Sequence, residues 1–178
     1  MGVTGSGKST VGARLAALKH WDFYDGDDYH PASNIEKMRR GEPLTDQDRA
    51  PWLDRLRELI EEKLARGQSV VVACSALRSV YRKRLLPRDA PLADRVRFVY
   101  LRISPEAATE RLLMRKDHFM SVALVASPFE ALEEPEDALT INAERPVEEV
   151  VARAADAITV PKGAGYVSSE DSRSHSVR

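Results

Sequence analysis

With one cysteine, Cys74, in 178 residues, the chain has no means of forming an intramolecular disulfide, which suits a reducing compartment. No apolar run approaches the roughly 20 residues needed to span a bilayer, and no charged-then-apolar leader opens the chain. Excess charge is missing too. The formal net charge is -1 and the isoelectric point near 6.4, so nothing in the global field draws the protein to nucleic acid or to an anionic membrane surface. Any anion must be held by a local site. The length suffices for one α/β domain, and there is neither an internal repeat nor a linker that would announce a second. A soluble, cytoplasmic protein is the expectation.

Helix-like and strand-like stretches alternate along the chain, which favours a parallel α/β sheet flanked by helices. The spacing predicts a helix over Thr10–Lys19, then a short aromatic strand from Trp21 to Tyr24 running into Asp25. A short helix and loop are expected over Pro31–Glu42. A long helix is expected from about Asp46 to Arg66, with Thr45 and Asp48 as a capping box and Gly67 as a left-handed stop. Its buried stripe is Leu53, Leu56, Leu59, Ile60 and Leu64. Ser69–Ala73 reads as a strand buried on both faces, and Val96–Ile103 as another. Ser104 and Pro105 start a helix. Leu139–Asn142 is a last strand, and Pro146 opens a final helix. Residues 1–161 thus form the expected domain. From Lys162 to Arg178 the chain is polar and aperiodic, and disorder is expected there.

What the chain has in strength is glycine at its start. GVTGSGKST satisfies G-x-x-x-x-G-K-[ST] through Gly2, Gly7, Lys8 and Ser9. Backbone N–H groups of Gly2, Val3, Thr4, Gly5, Ser6, Gly7, Lys8, Ser9 and Thr10, with the N-terminus of the following helix, make a ready phosphate site. Lys8 brings positive charge to the β and γ phosphates, and Ser9 offers a hydroxyl to Mg²⁺. A nucleoside triphosphate and Mg²⁺ are therefore the expected ligands of the loop. Such a loop should follow a buried strand, yet only Met1 precedes Gly2. The fold expected is that of a P-loop kinase whose first strand is largely missing, with a start inside a longer reading frame as the favoured explanation.

Asp25, Gly26, Asp27 and Asp28 fall at the C-terminal end of the second strand, the edge where open α/β sheets bind ligands. Asp25 can hold the metal and Asp27 can take a proton from an attacking hydroxyl, while Asp28 reads as a solvated acidic cap. The run DGDDYHPASNIEKMRRGEPLTDQDRAPWL, from Asp25 to Leu53, resembles the signature of the gluconokinase family, the small P-loop type. ACSALRSVYR, RKDHFM and SPFEALEEP agree in order and spacing, so the resemblance covers nearly the whole chain except the tail.

That resemblance implies a shikimate-kinase-like fold, phosphorylation of D-gluconate by ATP to 6-phospho-D-gluconate, Mg²⁺, and a homodimer. D-gluconate carries a carboxylate and several hydroxyls, so its site needs a cation and hydrogen-bonding groups. Arg49 and Arg82 are candidates for the carboxylate, with His30 and Lys37 behind them; each has a surface ion-pair alternative. Ser75 and Ala76 are placed for their N–H groups to meet substrate. Trp52 reads as a core anchor, and Cys74 as a buried structural thiol. Arg111 and Arg115, four residues apart, share a helix face leading into a segment that closes over phosphates in kinases of this build. Arg145 resembles the adenine-side arginine of the family. Three positions depart from the family pattern: Asp117 where glycine is usual, Pro128 within the Ser-Gln-Phe triplet, and Ser121-Val122 where proline follows. Another small-molecule kinase, acting on shikimate or adenylylsulfate, and a nucleotide-binding protein with weak catalysis are the competing readings.

Overall fold

Two pairs of parallel strands carry the architecture in a computed structural model that describes residues 1–114 and 128–158. In chain order the elements are α1 (Lys8–Lys19), β1 (Asp22–Asp25), a 3-10 turn (Gly26–Tyr29), α2 (Ala32–Arg39), α3 (Asp46–Ala65), β2 (Val70–Ala73), α4 (Ser79–Leu85), α5 (Ala90–Ala93), β3 (Val99–Arg102), α6 (Pro105–Leu113), β4 (Leu139–Asn142) and α7 (Val147–Ala157). Strand β1 pairs with β2, Asp22 opposite Val70 and Asp25 opposite Ala73, and β3 pairs with β4, Val99 opposite Leu139. The residues expected to be a disordered tail, 162–178, lie outside the described residues.

Local chemistry explains most of the boundaries. Thr45 Oγ1 accepts from the Asp48 N–H, and the Asp48 carboxylate accepts from the Thr45 N–H at 2.8 Å, so the capping box fixes the start of α3. Gly67, at φ 72°, ends the same helix. Ser104 Oγ caps α6 through the Ala107 N–H, with Pro105 in its first turn. Helix α1 begins at Lys8, two residues before the sequence expectation, because the loop runs straight into it: the Val11 N–H bonds to the Gly7 carbonyl at 2.9 Å. Strands β1 and β2 each begin one residue later than expected, and β3 begins three later and ends one earlier. Leu59 is only half-buried; the α3 stripe is completed instead by Trp52 and by Arg57, whose guanidinium packs beside Asp54. Helix α4 was not expected from the sequence at all.

Successive β-residues point to opposite faces, and two apolar clusters follow. Val71 and Val99 join α1 and α7 around Val3, Val11, Leu15, Leu101, Ile141 and Val150. Val72 and Phe98 join α3 and α4 around Trp52, Leu53, Leu56, Tyr81 and Leu85.

Among the described residues, Met1 and Gly2 lie between β2 and β3. The Met1 amino group donates to the Val99 carbonyl at 2.5 Å, the Leu101 N–H to the Met1 carbonyl at 2.9 Å, and the Gly2 N–H to the Ser75 carbonyl at 3.2 Å. Met1 and Gly2 therefore hold parallel-sheet positions linking the two pairs. Before them lies a cavity of 240 Å³ lined by Met1, Val71, Ala73, Cys74, Val99 and Leu101 among others. Burial in this apolar setting, with the Lys8 charge adding to it, holds the amino group's pKa down to about 5.

A chain extended ahead of Met1 by a four-residue apolar stretch should replace this buried amine with an amide and fill the cavity. The thermal midpoint is expected to rise by about 5 °C, from the burial of a few apolar side chains. Amide exchange should slow at Val71, Ala73 and Val99, whose N–H groups strand alternation turns toward the cavity. An unchanged midpoint together with unchanged exchange would show that the cavity does not accept a strand.

Candidate active site

Parallel strands put their C-terminal ends along one edge, and the glycine loop meets that edge. Residues Gly2 to Gly7 turn above the end of β3, with the Ser6 N–H on the Val3 carbonyl at 3.2 Å. Gly5 stands at φ 86°, and a Cβ there would lie 2.8 Å from the Ala108 carbonyl, so glycine alone lets the loop press against α6. Gly7 is the N-cap of α1, which aims the helix N-terminus at the loop's concave side. Lys8 Nζ donates to the Val3 carbonyl at 3.0 Å, folding its ammonium back over the loop.

The loop touches the acidic edge directly. Ser9 Oγ donates to Asp25 Oδ2 at 2.5 Å. The other Asp25 oxygen accepts from the Asp27 N–H at 3.1 Å and caps the 3-10 turn, so the Asp25 carboxylate joins the loop to the turn that carries Asp27. Asp27 is exposed by its accessible surface. Even so, the protein packed around its carboxyl removes enough water to raise its pKa, the Asp25 and Asp28 charges push the same way, and Lys8 opposes them. Asp28 is exposed, as expected of a solvated residue, but it lies inside the 3-10 turn and the cap is Asp25. Among the described residues no group of three or more Asp, Glu, His or Cys stands together as a metal cluster. A hydroxyl and a carboxylate side by side fit Mg²⁺, which takes few protein ligands and completes its shell with water and phosphate oxygens.

On the nucleotide side, a cavity of 300 Å³ is lined by Gly5, Ser6, Gly7, Thr10, Arg111 and Arg145, among others. Arg111 Nη2 donates to the Ala143 carbonyl at 2.6 Å, which holds its guanidinium beside Gly7. Arg145 is solvent-facing and sits 3.9 Å from Glu149. Arg115 and Asp117, with the rest of residues 115–127, lie outside the described residues. Pro128 stands in helical backbone, and Phe129 after it packs on the α1–α7 core.

Just beyond the turn that carries Asp27, the structure brings His30 within reach of the Arg49 charge. Arg49 Nη1 donates to the Leu44 carbonyl, and its guanidinium lies 5.6 Å from the centre of the Tyr81 ring. The Tyr81 hydroxyl in turn donates to Asp46 at 2.5 Å. His30 stacks on Trp52 with ring centres 4.1 Å apart. Burial, aided by the Arg49 charge, lowers the His30 pKa to about 4, so the ring is neutral near pH 7. Lys37 is paired with Asp48 at 2.8 Å, the ion-pair alternative of the sequence. Arg82 is buried, and its Nη1 donates to the carbonyls of Ala76, Leu77 and Glu133, which commits that nitrogen to holding the loop after β2. Ser75 gives its carbonyl to Gly2, and Ala76 takes a left-handed φ of 45°. Sequence reasoning missed Asn34, which is 2% exposed and donates to the Asp48 carbonyl at 2.8 Å while contacting His30 Nδ1 at 3.3 Å. Its motif position offered no signal that separated it from an ordinary polar helix residue.

A glycine loop feeding a helix at the edge of a parallel sheet, with an acidic turn across from it, defines a P-loop kinase. Comparison with known proteins narrows the class. A family model described as shikimate kinase matches residues 4–159. A probable gluconokinase of Xenopus tropicalis is 48% identical over 146 residues, 76% of this chain and 77% of the relative. The thermosensitive gluconokinase of Escherichia coli strain K12 is 44% identical, over 76% of this chain and 71% of its own length. The crystal structure of a gluconokinase from Sinorhizobium meliloti 1021 superimposes with a TM-score of 0.75 at 40% identity, covering 88% of this chain and 87% of that one. An APS kinase from Mycobacterium tuberculosis, at 19% identity and a TM-score of 0.60, shares the fold. The chain is a kinase of the shikimate kinase family and belongs, within it, to the gluconokinases.

The depressed His30 pKa has a consequence for stability. The unfolded chain takes up a proton at this position near pH 6.5 and the folded one only near pH 4, so stability is lost as pH falls between those values. His30→Gln is expected to shrink the stability difference between pH 7 and pH 5, measured by urea unfolding. An equal difference in the variant and the parent would contradict the neutral, stacked ring.

Proposed function

We propose that the protein transfers the γ-phosphoryl group of ATP to the 6-hydroxyl of D-gluconate, giving ADP and 6-phospho-D-gluconate. The observation that carries the reading is the Ser9–Asp25–Asp27 chain of hydrogen bonds, which sets an acceptor-side carboxylate beside the phosphate loop. The gluconokinase relatives support the choice of acceptor.

The loop N–H groups and the α1 N-terminus bind the phosphates, and Lys8 places its charge against the developing negative charge of the transferring group. Ser9 and Asp25 would hold Mg²⁺, which would supply positive charge against the phosphate oxygens. Asp27 orients the attacking hydroxyl and takes its proton as the new O–P bond forms and the bond to ADP breaks. Arg49 faces the gluconate carboxylate, with His30 as a neutral hydrogen-bonding partner for a hydroxyl and the Ser75 N–H as a further donor. Arg82 serves this side through the loop it holds. Arg111 and Arg145 act on the nucleotide, and Arg115 supplies transition-state charge from the segment that follows α6. The protein works in the cytoplasm as a homodimer; among the described residues no helix is long and apolar enough to cross a membrane.

ADP release coupled to a panel of D-gluconate, shikimate and adenylylsulfate tests the acceptor. Turnover with D-gluconate alone is expected, with phosphate on C6 by phosphorus NMR. Turnover with shikimate but not D-gluconate would overturn the reading, as would ATP binding with no acceptor-dependent ADP. Asp27→Asn is expected to cut kcat by about a hundredfold or more while leaving ATP affinity nearly intact. Lys8→Ala should instead weaken both nucleotide binding and transfer, the latter by about a hundredfold.

A further inference from the structure

Asp27 sits on a four-residue turn, and short turns at a sheet edge hold a side chain only as well as their ends are held. Gly26, which opens this turn, and His30, the residue that follows its last, are both fastened by one residue of α3. The Trp52 indole Nε1–H donates to the Gly26 carbonyl at 2.6 Å, in a buried setting. The face of the same indole carries the His30 ring at 4.1 Å with 16° between planes. Trp52 itself is 3% exposed and locked among Leu53, Leu56, Tyr81 and Leu85. The turn is also pressed onto the end of β2: a Cβ on Gly26 would stand 2.6 Å from the Ala73 carbonyl. Gly26 is thus clamped between strand and indole, with Asp27 as the next residue.

We infer that Trp52 is a positioning residue for phosphoryl transfer, setting the turn that aims Asp27 and His30 at the acceptor. It touches no reacting atom. The inference rests on the acceptor-side role of Asp27 proposed above and adds to it the side chain that fixes the geometry. A general base works within hydrogen-bond reach of its proton, and displacement of about 1 Å is enough to cost a large rate factor. A buried carbonyl deprived of its donor is also a strong reason for a turn to shift toward water.

Trp52→Phe keeps an aromatic face for His30 and most of the core volume, and removes the donor to Gly26. Its kcat with D-gluconate is expected to fall at least about tenfold. KM for ATP should stay within about twofold, and slow ATP hydrolysis without acceptor should not change, since the loop is untouched. Leu53→Ala, a neighbouring core truncation in the same cluster that leaves the Trp52 indole and its bond to Gly26 in place, is the stability control. With both variants assayed well below their thermal midpoints, Leu53→Ala should keep its kcat. A parental kcat in Trp52→Phe, or an equal loss in Leu53→Ala, would overturn the inference. A measurement on the unmodified chain covers the case of a variant that does not fold. The Trp52 indole N–H resonance is expected to resist solvent exchange and to shift on saturation with D-gluconate; a freely exchanging, unmoved signal overturns the inference. The two readings fail separately. Full turnover in Asp27→Asn removes the base, and this inference with it, whereas a dead Asp27→Asn beside a fully active Trp52→Phe removes the positioning role alone.

Discussion

The backbone hydrogen bonds of the first two residues are the constraint on which the rest depends. The Leu101 N–H reaches the Met1 carbonyl on one side, and the Gly2 N–H reaches the Ser75 carbonyl on the other. Without them the sheet is two separate strand pairs, β1 with β2 and β3 with β4. The same residues lead into the glycine loop, so the phosphate site is seated on both halves. Val3 then drops into the α1–α7 cluster at 2% exposure and fixes the loop from beneath. The loop's geometry, the alignment of the two halves and the direction of α1 are one structural event.

From that seat the electrostatics follow. Three carboxylates, Asp25, Asp27 and Asp28, crowd one short turn opposite a lysine and a helix N-terminus. Loss of water first, then repulsion by Asp25 and Asp28, raise the Asp27 pKa, and Lys8 pulls it back. The site therefore stores negative charge next to a place built for anions, an arrangement that a divalent cation would relieve. The Ser9 hydroxyl donates a hydrogen bond into this charge, to Asp25.

Much of this was legible in the sequence, and the reasons separate by residue. Thr45 with Asp48, Ser104 with Pro105, and Gly67 announce boundaries through local hydrogen bonding or backbone freedom, which short strings encode fully. The loop motif was legible for the same reason. Helix α4 was not, because Ser79–Leu85 is dominated by Arg82, Lys83 and Arg84, and its only apolar anchors, Tyr81 and Leu85, are four apart in a segment too short to show a period. Nor could the string tell how each arginine is spent. Arg49 and Arg82 lie in equally suggestive motifs, yet the fork of Arg82 is turned inward onto main-chain carbonyls while Arg49 packs on Tyr81 near the turn. A guanidinium meets a carbonyl or a carboxylate with the same donors, so only the fold decides.

Trp52 shows why the categories of core and site overlap in such a protein. In the sequence it reads as a core anchor, and its burial agrees. Phosphoryl transfer, however, asks little covalent chemistry of the protein and a great deal of placement. Groups that hold a reacting carboxylate must themselves be held, and the stiffest support available is a packed aromatic on a long capped helix. The Thr45–Asp48 box fixes where α3 begins; Trp52, seven residues after Thr45, is carried at a set height against Gly26. Asn34 ties α2 to the same helix through the Asp48 carbonyl and reaches His30. A cap, an indole and an amide thus form a continuous path from the start of α3 to the acceptor-side turn, and the precision of the site derives from the core beneath it.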